Sequence, residues 1–310
     1  MRIASLLASA TEIVCVLGLE DDLVAISHEC DHPPEVLDRP RISRPRFDPD
    51  GLSGGEIDAA VRESMAMHGN VYILDEPALR EVAPDLILTQ AVCDVCAVPT
   101  SVAREAARSL DGATVLSLDA HTVDGIFSTI IRVGEATGTT ARAERVVAGL
   151  RARVAAVRDR VAHAVRPSVL ALEWLDPVFT PGHWGPEMVE SAGGANLLGT
   201  AGERSKTVTW DLLEACDPDV LLVMPCGYGL DRSIQEADAH ADRIRAVAPR
   251  AVETERAFVL DGSSYFNRSG PRVVDGIEIL GAVLHPECFP AVDLTGRAAR
   301  WLCPSGPSRP

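Results

Sequence analysis

The sequence has 310 residues, which at roughly 100–200 residues per domain allows one large or two medium domains with enough chain to bury a core. Apolar residues make up 46% and charged residues 24%, which excludes a disordered or low-complexity chain. With 29 basic against 45 acidic residues the net charge is −16, so a phosphate backbone or an anionic membrane surface is repelled and nucleic acid is not expected as a partner.

No run of about 18 uncharged apolar residues occurs, so no membrane insertion is expected. The first apolar stretch, Ile3 to Leu19, is interrupted by Glu12 and preceded only by Arg2, which argues against a secretory leader. It predicts a strand over Arg2–Leu7 and then a helix opened by Ser9, with Glu12 at the spacing of a capping box. The expected location is therefore cytoplasmic, or periplasmic or extracellular if the N-terminus is incomplete. In a reducing compartment the eight cysteines favour metal or redox roles over disulfides.

Short β-rich runs then alternate with helical patterns. Ile3–Leu7, Leu23–Ser27, Leu86–Thr89 and Val115–Leu118 are predicted strands, with helices such as Glu56–His68 and Thr100–Leu110 between them, the alternation of a parallel sheet. From Thr139 to Val165, Val147, Leu150, Val154, Val157 and Val161 recur at spacings of three and four, which predicts one long amphipathic helix without an internal proline. Strands are expected again at Val169–Glu173, Val220–Met224 and Phe258–Asp261. The expected fold class is α/β: two Rossmann-like lobes with parallel sheets, joined by one long rigid helix, with a ligand cleft between the lobes. The expected boundaries are 1–138 for the N-terminal lobe, 139–166 for the bridging helix, 167–302 for the C-terminal lobe and 303–310 for a disordered tail.

A weak internal repeat supports two lobes. The run Leu79-Arg-Glu-Val-Ala-Pro-Asp-Leu-Ile-Leu-Thr is echoed by Leu213-Glu-Ala-Cys-Asp-Pro-Asp-Val-Leu-Leu-Val, and each copy runs on into a cysteine, Cys93 or Cys226. In open α/β sheets ligands bind beyond the carboxyl ends of the strands, where these cysteines fall. The first-lobe strand ends read Ser27-His28-Glu29-Cys30-Asp31-His32 and Gln90 with Cys93-Asp94-Val95-Cys96 beyond it. Those of the second read Glu173-Trp174-Leu175-Asp176, His183-Trp184, Cys226-Gly227-Tyr228 and Tyr265-Phe266, so the scarce aromatics share loops with polar residues, as in a small-molecule site. Cys30, Cys93, Cys96 and Cys226 would suit Zn or an Fe–S cluster; singly, each is also an ordinary thiol, and Cys93-x-x-Cys96 is also a redox-pair spacing. Cys15, Cys216 and Cys288 fall in helical patterns and are expected to be buried apolar residues.

These residues resemble a known family, the cobalamin-binding receptors of ABC importers, within the class of two-lobed proteins that carry metal chelates. The resemblance runs from Arg2 to about His285. Its carriers are Ser9-Ala10-Thr11-Glu12, Ser27 with Asp31 and Pro33-Pro34, Pro84-Asp85-Leu86, Pro177-Val178-Phe179, Gly193-Gly194-Ala195-Asn196 and Pro271-Arg272. It implies a non-enzymatic receptor closing on a corrinoid or another metal-centred ligand, with Glu29, Gln90, Trp174, Asp176, Phe179, His183, Trp184, Tyr228, Tyr265 and Phe266 as ligand contacts. It also implies a permease partner met through one carboxylate per lobe, near Glu76 and Asp211; both are equally placed as acids at helix N-termini. Two departures stand against it. Aromatic positions of the first lobe look replaced by the Cys30 neighbourhood and by Gln90 with Cys93 and Cys96, and no signal peptide is evident. They define the alternative, a cytosolic metalloprotein, with or without enzymatic activity, whose Cys-ligated Fe–S or Zn centre occupies the cleft.

Overall fold

The computed structural model describes residues 1–92, 97–110 and 112–302. Its contacts divide the chain into two compact units, one of Met1–Ala120, Asp124–Leu150 and Ser269–Pro271, the other of His121–Val123, Arg151–Arg268 and the chain from Arg272 onward.

In the first unit four short strands lie parallel in the order Leu23–Ala25, Ile3–Ser5, Leu86–Thr89, Thr114–Ser117. The inner strands Ile3–Ser5 and Leu86–Thr89 are buried at every residue, as expected where both faces of a parallel sheet are covered. Leu79, Val98, Ala103 and Ala106 pack against Ala4, Leu6 and Ile87 to form the core of this unit. In the second unit the parallel order is Ala195–Asn196, Ser168–Leu172, Val220–Val223, Ala257–Leu260, with Ala298–Arg300 added antiparallel at the edge. Leu213, Ala237, Ile244, Val247 and Trp301 close its core over Leu170, Leu172, Leu221, Val223 and Val259. Both units thus place their parallel strands in the same spatial order: second, first, third, fourth.

The internal repeat is one folding device used twice. Helix Glu76–Val82 is capped by Asp75, whose carboxylate accepts from Ala78 N–H, and helix Trp210–Glu214 by Thr209, whose hydroxyl accepts from Leu212 N–H. Leu79 and Leu213 are the buried residue of each helix. Ala83 and Asp217 then take left-handed backbone conformations, φ +36° and +34°, and the following proline leads into the strand. The aspartate after that proline accepts the backbone N–H at the entry to the neighbouring strand: Arg2 N–H to Asp85 at 2.7 Å, and Ser168 N–H to Asp219 at 2.8 Å.

The predicted long helix runs from Thr140 to Val161, and Val147, Leu150, Val154, Val157 and Val161 are all buried along it. It stops short of Val165, where the bonding pattern tightens: Ala164 N–H reaches back only to Val161, and Val165 is left exposed.

Several expectations are corrected. Ser9 and Glu12 form no capping box, because helix Ala8–Val16 already begins at Ala8 with Leu7 as its uncapped entry; both side chains are buried in the first unit, with Ser9 Oγ 3.3 Å from Ser269 Oγ. Cys15, Cys216 and Cys288 are partly exposed rather than buried, and Cys216 and Cys288 lie in turns beyond helix ends. The last described strand is antiparallel, and a small sheet of Trp174–Leu175, Val178–Thr180 and Lys206–Thr207 was not anticipated, because strands of two or three residues carry no readable periodicity. The expected tail 303–310, with Cys303, lies outside the described residues.

Candidate functional site

The predicted residues gather most densely at the carboxyl ends of the parallel strands of the second unit. Glu173 follows strand Ser168–Leu172, and its backbone carbonyl accepts from Cys226 N–H at 3.0 Å, which joins the first strand end to the loop after Val220–Val223. That loop is joined to the next by Ser263 N–H donating to Tyr228 O at 3.0 Å. Gly262 is required here: a Cβ on it would collide with the carbonyl oxygens of Met224 and Pro225. Three strand ends are therefore tied edge to edge through main-chain hydrogen bonds.

On this platform Trp174 and Tyr228 meet with ring centroids 5.1 Å apart. Trp174 is half-buried, its indole N–H donating to Asp176 O at 2.9 Å. Tyr228 lies under the Arg232 guanidinium, 4.2 Å from the ring centroid, and its hydroxyl accepts from Arg232 at 3.2 Å. Burial pushes the Tyr228 phenol above its ordinary value, against the opposing hydrogen bond from Arg232. A second pair is built by Trp184, whose indole N–H donates to Phe266 O at 2.6 Å; both rings are buried and make a floor rather than an open surface. Phe179 and Tyr265 are partly exposed, and the guanidinium groups of Arg272 and Arg297 lie 5.6 and 5.7 Å from the Tyr265 ring centroid.

A polar network accompanies the aromatics. Both carboxylate oxygens of Glu173 accept from Ser205 Oγ, at 2.9 and 3.1 Å, and Ser205 Oγ itself accepts from Gly182 N–H. Gly182 allows the chain segment 203–205 to approach closely, since a Cβ would strike the backbone of Arg204 and Ser205. Burial raises the Glu173 carboxyl to about 7, with the hydrogen bonds from Ser205 and Gly182 pulling the other way. His183 follows in a left-handed conformation, φ +49°, with its Nδ1 3.3 Å from that of His121. Glu173, Ser205, Arg232 and His121 were not among the predicted contacts. Glu173 had a readable signal, a carboxylate ending an apolar strand; Arg232 stands one helical turn beyond Tyr228, and Ser205 and His121 are recruited from distant sequence.

In the first unit, Glu29 is exposed and pairs with His28 at 3.2 Å, while Gln90 is buried beside Pro99 at the end of strand Leu86–Thr89. Cys30 is buried, its sulfur 3.0 Å from Thr11 Oγ1, which in turn donates to Ser5 Oγ. That is the setting of a hydrogen-bonded core thiol. Cys93 and Cys96 lie outside the described residues, and Cys226, in the second unit, is partly exposed. Among the described residues no group of three or more His, Cys, Asp and Glu is placed to hold a metal ion, so the expected Zn or Fe–S centre gains no support. Nor, among the described residues, is any helix long and apolar enough to cross a membrane. A cavity of about 290 Å³ in the first unit is lined by Arg41, Arg44, Asp75 and Pro77 and contains none of the predicted contacts. Glu76 and Asp211 both stand exposed in the first turns of their helices, Glu76 paired with Arg80 at 3.3 Å.

A family model described as periplasmic binding protein matches residues 3–261. A vitamin B12-binding protein of Vibrio cholerae is 24% identical over 281 residues, covering 89% of this chain and 86% of its own length. An uncharacterised ABC transporter substrate-binding lipoprotein of Bacillus subtilis is 22% identical, over 93% of this chain and 81% of its own. Among solved structures, a periplasmic heme-binding protein from Pseudomonas aeruginosa superposes with a TM-score of 0.68 at 22% identity, covering 92% of each chain, which shows the same fold. These findings overturn the expectation of a cytoplasmic location, which rested on the first residues of the sequence alone: the matching family and the similar proteins are periplasmic or lipoprotein binding proteins. With that family model matched from the first strand to the end of the last parallel one, the chain belongs to the periplasmic binding protein family.

Proposed function

We propose that this chain is the substrate-binding component of an ABC importer and takes up a flat, metal-centred macrocycle, a corrinoid or a heme. The observation that carries the reading is the Trp174–Tyr228 pair, rings 5.1 Å apart at the carboxyl ends of parallel strands. Aromatic faces beside a few polar groups suit a large planar ligand, whose ring gains contact area without requiring many directional bonds. The similar proteins agree in class, one named for vitamin B12, one for heme and one for ABC transport. Trp174, Phe179, Tyr228 and Tyr265 supply stacking area, Asp176 and His183 the polar rim, and the buried Trp184 and Phe266 hold the floor. Glu29 and Gln90 are the first unit's candidates for the rim. Glu76 and Asp211, one exposed carboxylate in each unit, are the proposed permease contacts. The chain itself performs no reaction in this reading; the metal belongs to the cargo.

Titration of the purified protein with cyanocobalamin and, separately, with hemin, followed by absorbance and calorimetry, tests this. One of the two is expected to bind saturably at one per chain. Trp174→Ala combined with Tyr228→Ala should weaken binding at least about 30-fold, the ~2 kcal/mol expected from losing two stacking faces. Binding of neither ligand at micromolar concentration, or unchanged affinity in the double variant, would sink the proposal.

A further inference from the structure

His121 and His183 come together from widely separated sequence. His121 lies in the loop after strand Thr114–Ser117, yet residues His121–Val123 belong to the second unit, where Val123 N–H donates to Glu187 at 2.8 Å. His183 sits in a turn fixed by two main-chain hydrogen bonds, its own N–H to Glu203 O and Gly202 N–H to His183 O. Its left-handed φ of +49°, which histidine adopts more often than most residues with a side chain, sets how the ring is aimed from the turn.

The aim is toward the other imidazole. The two Nδ1 atoms are 3.3 Å apart and the ring planes are tilted by 39°. As a direct N–H···N bond this separation is long, since nitrogen donors usually approach to about 2.9–3.0 Å. For two nitrogens on one tetrahedral ion it is apt: bonds of about 2.0–2.1 Å at the tetrahedral angle put the donors about 3.3–3.4 Å apart.

We propose that His121 and His183 form a two-imidazole site for a late first-row divalent cation, Zn²⁺ or Cu²⁺, which shares His183 with the proposed rim of the macrocycle site. Among the described residues no third His, Cys, Asp or Glu completes a metal group there. With two protein ligands the remaining positions would be left to water, which would make the site open and exchangeable, unlike a closed structural centre. Bound metal would fasten the 121–123 segment to the 183 turn. Cu²⁺ should bind more tightly than Zn²⁺, following the usual order for nitrogen ligands.

The test uses the full chain with its cysteines alkylated, so that thiols do not compete. Cu²⁺ is added without any macrocycle; the nitrogen hyperfine pattern in electron paramagnetic resonance counts the imidazoles, and Zn²⁺ titration gives the affinity. Two imidazole nitrogens are expected. His121→Gln and His183→Asn should each weaken Zn²⁺ binding at least about tenfold, the order of loss seen when metal sites lose supporting groups. Asparagine tolerates the left-handed backbone, so the turn should survive; if that variant does not fold, His121→Gln, altered at an exposed ring, decides the matter. Copper bound without imidazole nitrogens, or Zn²⁺ affinity unchanged in His121→Gln, overturns the proposal, whatever the outcome with cobalamin or hemin.

Discussion

The two units use one folding device and put different chemistry on it. In each, a capped helix, a buried leucine, a left-handed residue, a proline and an aspartate deliver the chain into a parallel strand. Asp85 accepts a backbone N–H from Arg2; Asp219 accepts one from Ser168, takes the Ser168 hydroxyl at 2.7 Å and pairs with Arg250 at 2.9 Å. All four tryptophans, Trp174, Trp184, Trp210 and Trp301, lie in the second unit. The contrast teaches that the framework is carried by short local signals that can be duplicated, whereas the tryptophans are added in one unit without disturbing the device beneath.

The largest test of equivalence is truncation of the shared leucine. Leu79→Ala and Leu213→Ala should each cost about 2–5 kcal/mol in denaturant unfolding, because both side chains are fully buried and leave a cavity. A loss in only one variant would break the comparison.

The aspartates should separate the units. Asp219→Ala is expected to cost about 1–2 kcal/mol, discounted for its partial exposure, and Asp85→Ala less, because Asp219 gathers more charge-assisted hydrogen bonds. Those from the Ser168 backbone and side chain, then the charges of Arg250 and Arg256, hold the Asp219 carboxyl below its ordinary value. A depressed carboxyl stabilises the fold above its unfolded pKa and loses that contribution as pH falls through its folded one. The gap between wild type and Asp219→Ala should therefore close in acid; a gap independent of pH from neutrality down to about pH 2 would contradict this account.

Glu173 gives the opposite sign. Its carboxyl, raised from an ordinary 4.5 to about 7, keeps its proton in the folded state, so its contribution is complete below 4.5 and disappears as pH rises through about 7. Between pH 5 and 8 the melting temperature of the wild type should fall relative to Glu173→Gln, on the order of 2–4 °C, the shift that about 1 kcal/mol gives in domains of this size. Parallel melting curves would remove Glu173 as a titrating group.

The smallest effect is expected at the caps. Asp75→Ala and Thr209→Ala should each cost about 0.5–1 kcal/mol, since one helix-end N–H loses its acceptor in either case. Unequal losses would show that the two short helices depend differently on their packing.

Elements whose pattern repeats along the chain were legible before any coordinates. The α/β class, the strands Leu86–Thr89 and Val220–Val223, the long helix and its buried stripe, and the Pro-Asp repeat all follow from signals spanning a few residues: apolar runs, three-and-four spacing, proline after a helix end. Where such a signal has a competitor it misleads. Ser9 and Glu12 have capping-box spacing, yet both are buried inside the first unit and the helix entry lies two residues earlier, at Leu7. The strand-end position of Cys30 is legible, whereas the hydroxyl of Thr11 that meets its sulfur is brought from another element and is not. The Trp174–Tyr228 pair, the Ser205–Glu173 bonds and the facing imidazoles of His121 and His183 are decided by tertiary structure alone. Their partners are far apart in sequence, and no local periodicity records which strand ends a folded sheet will set side by side.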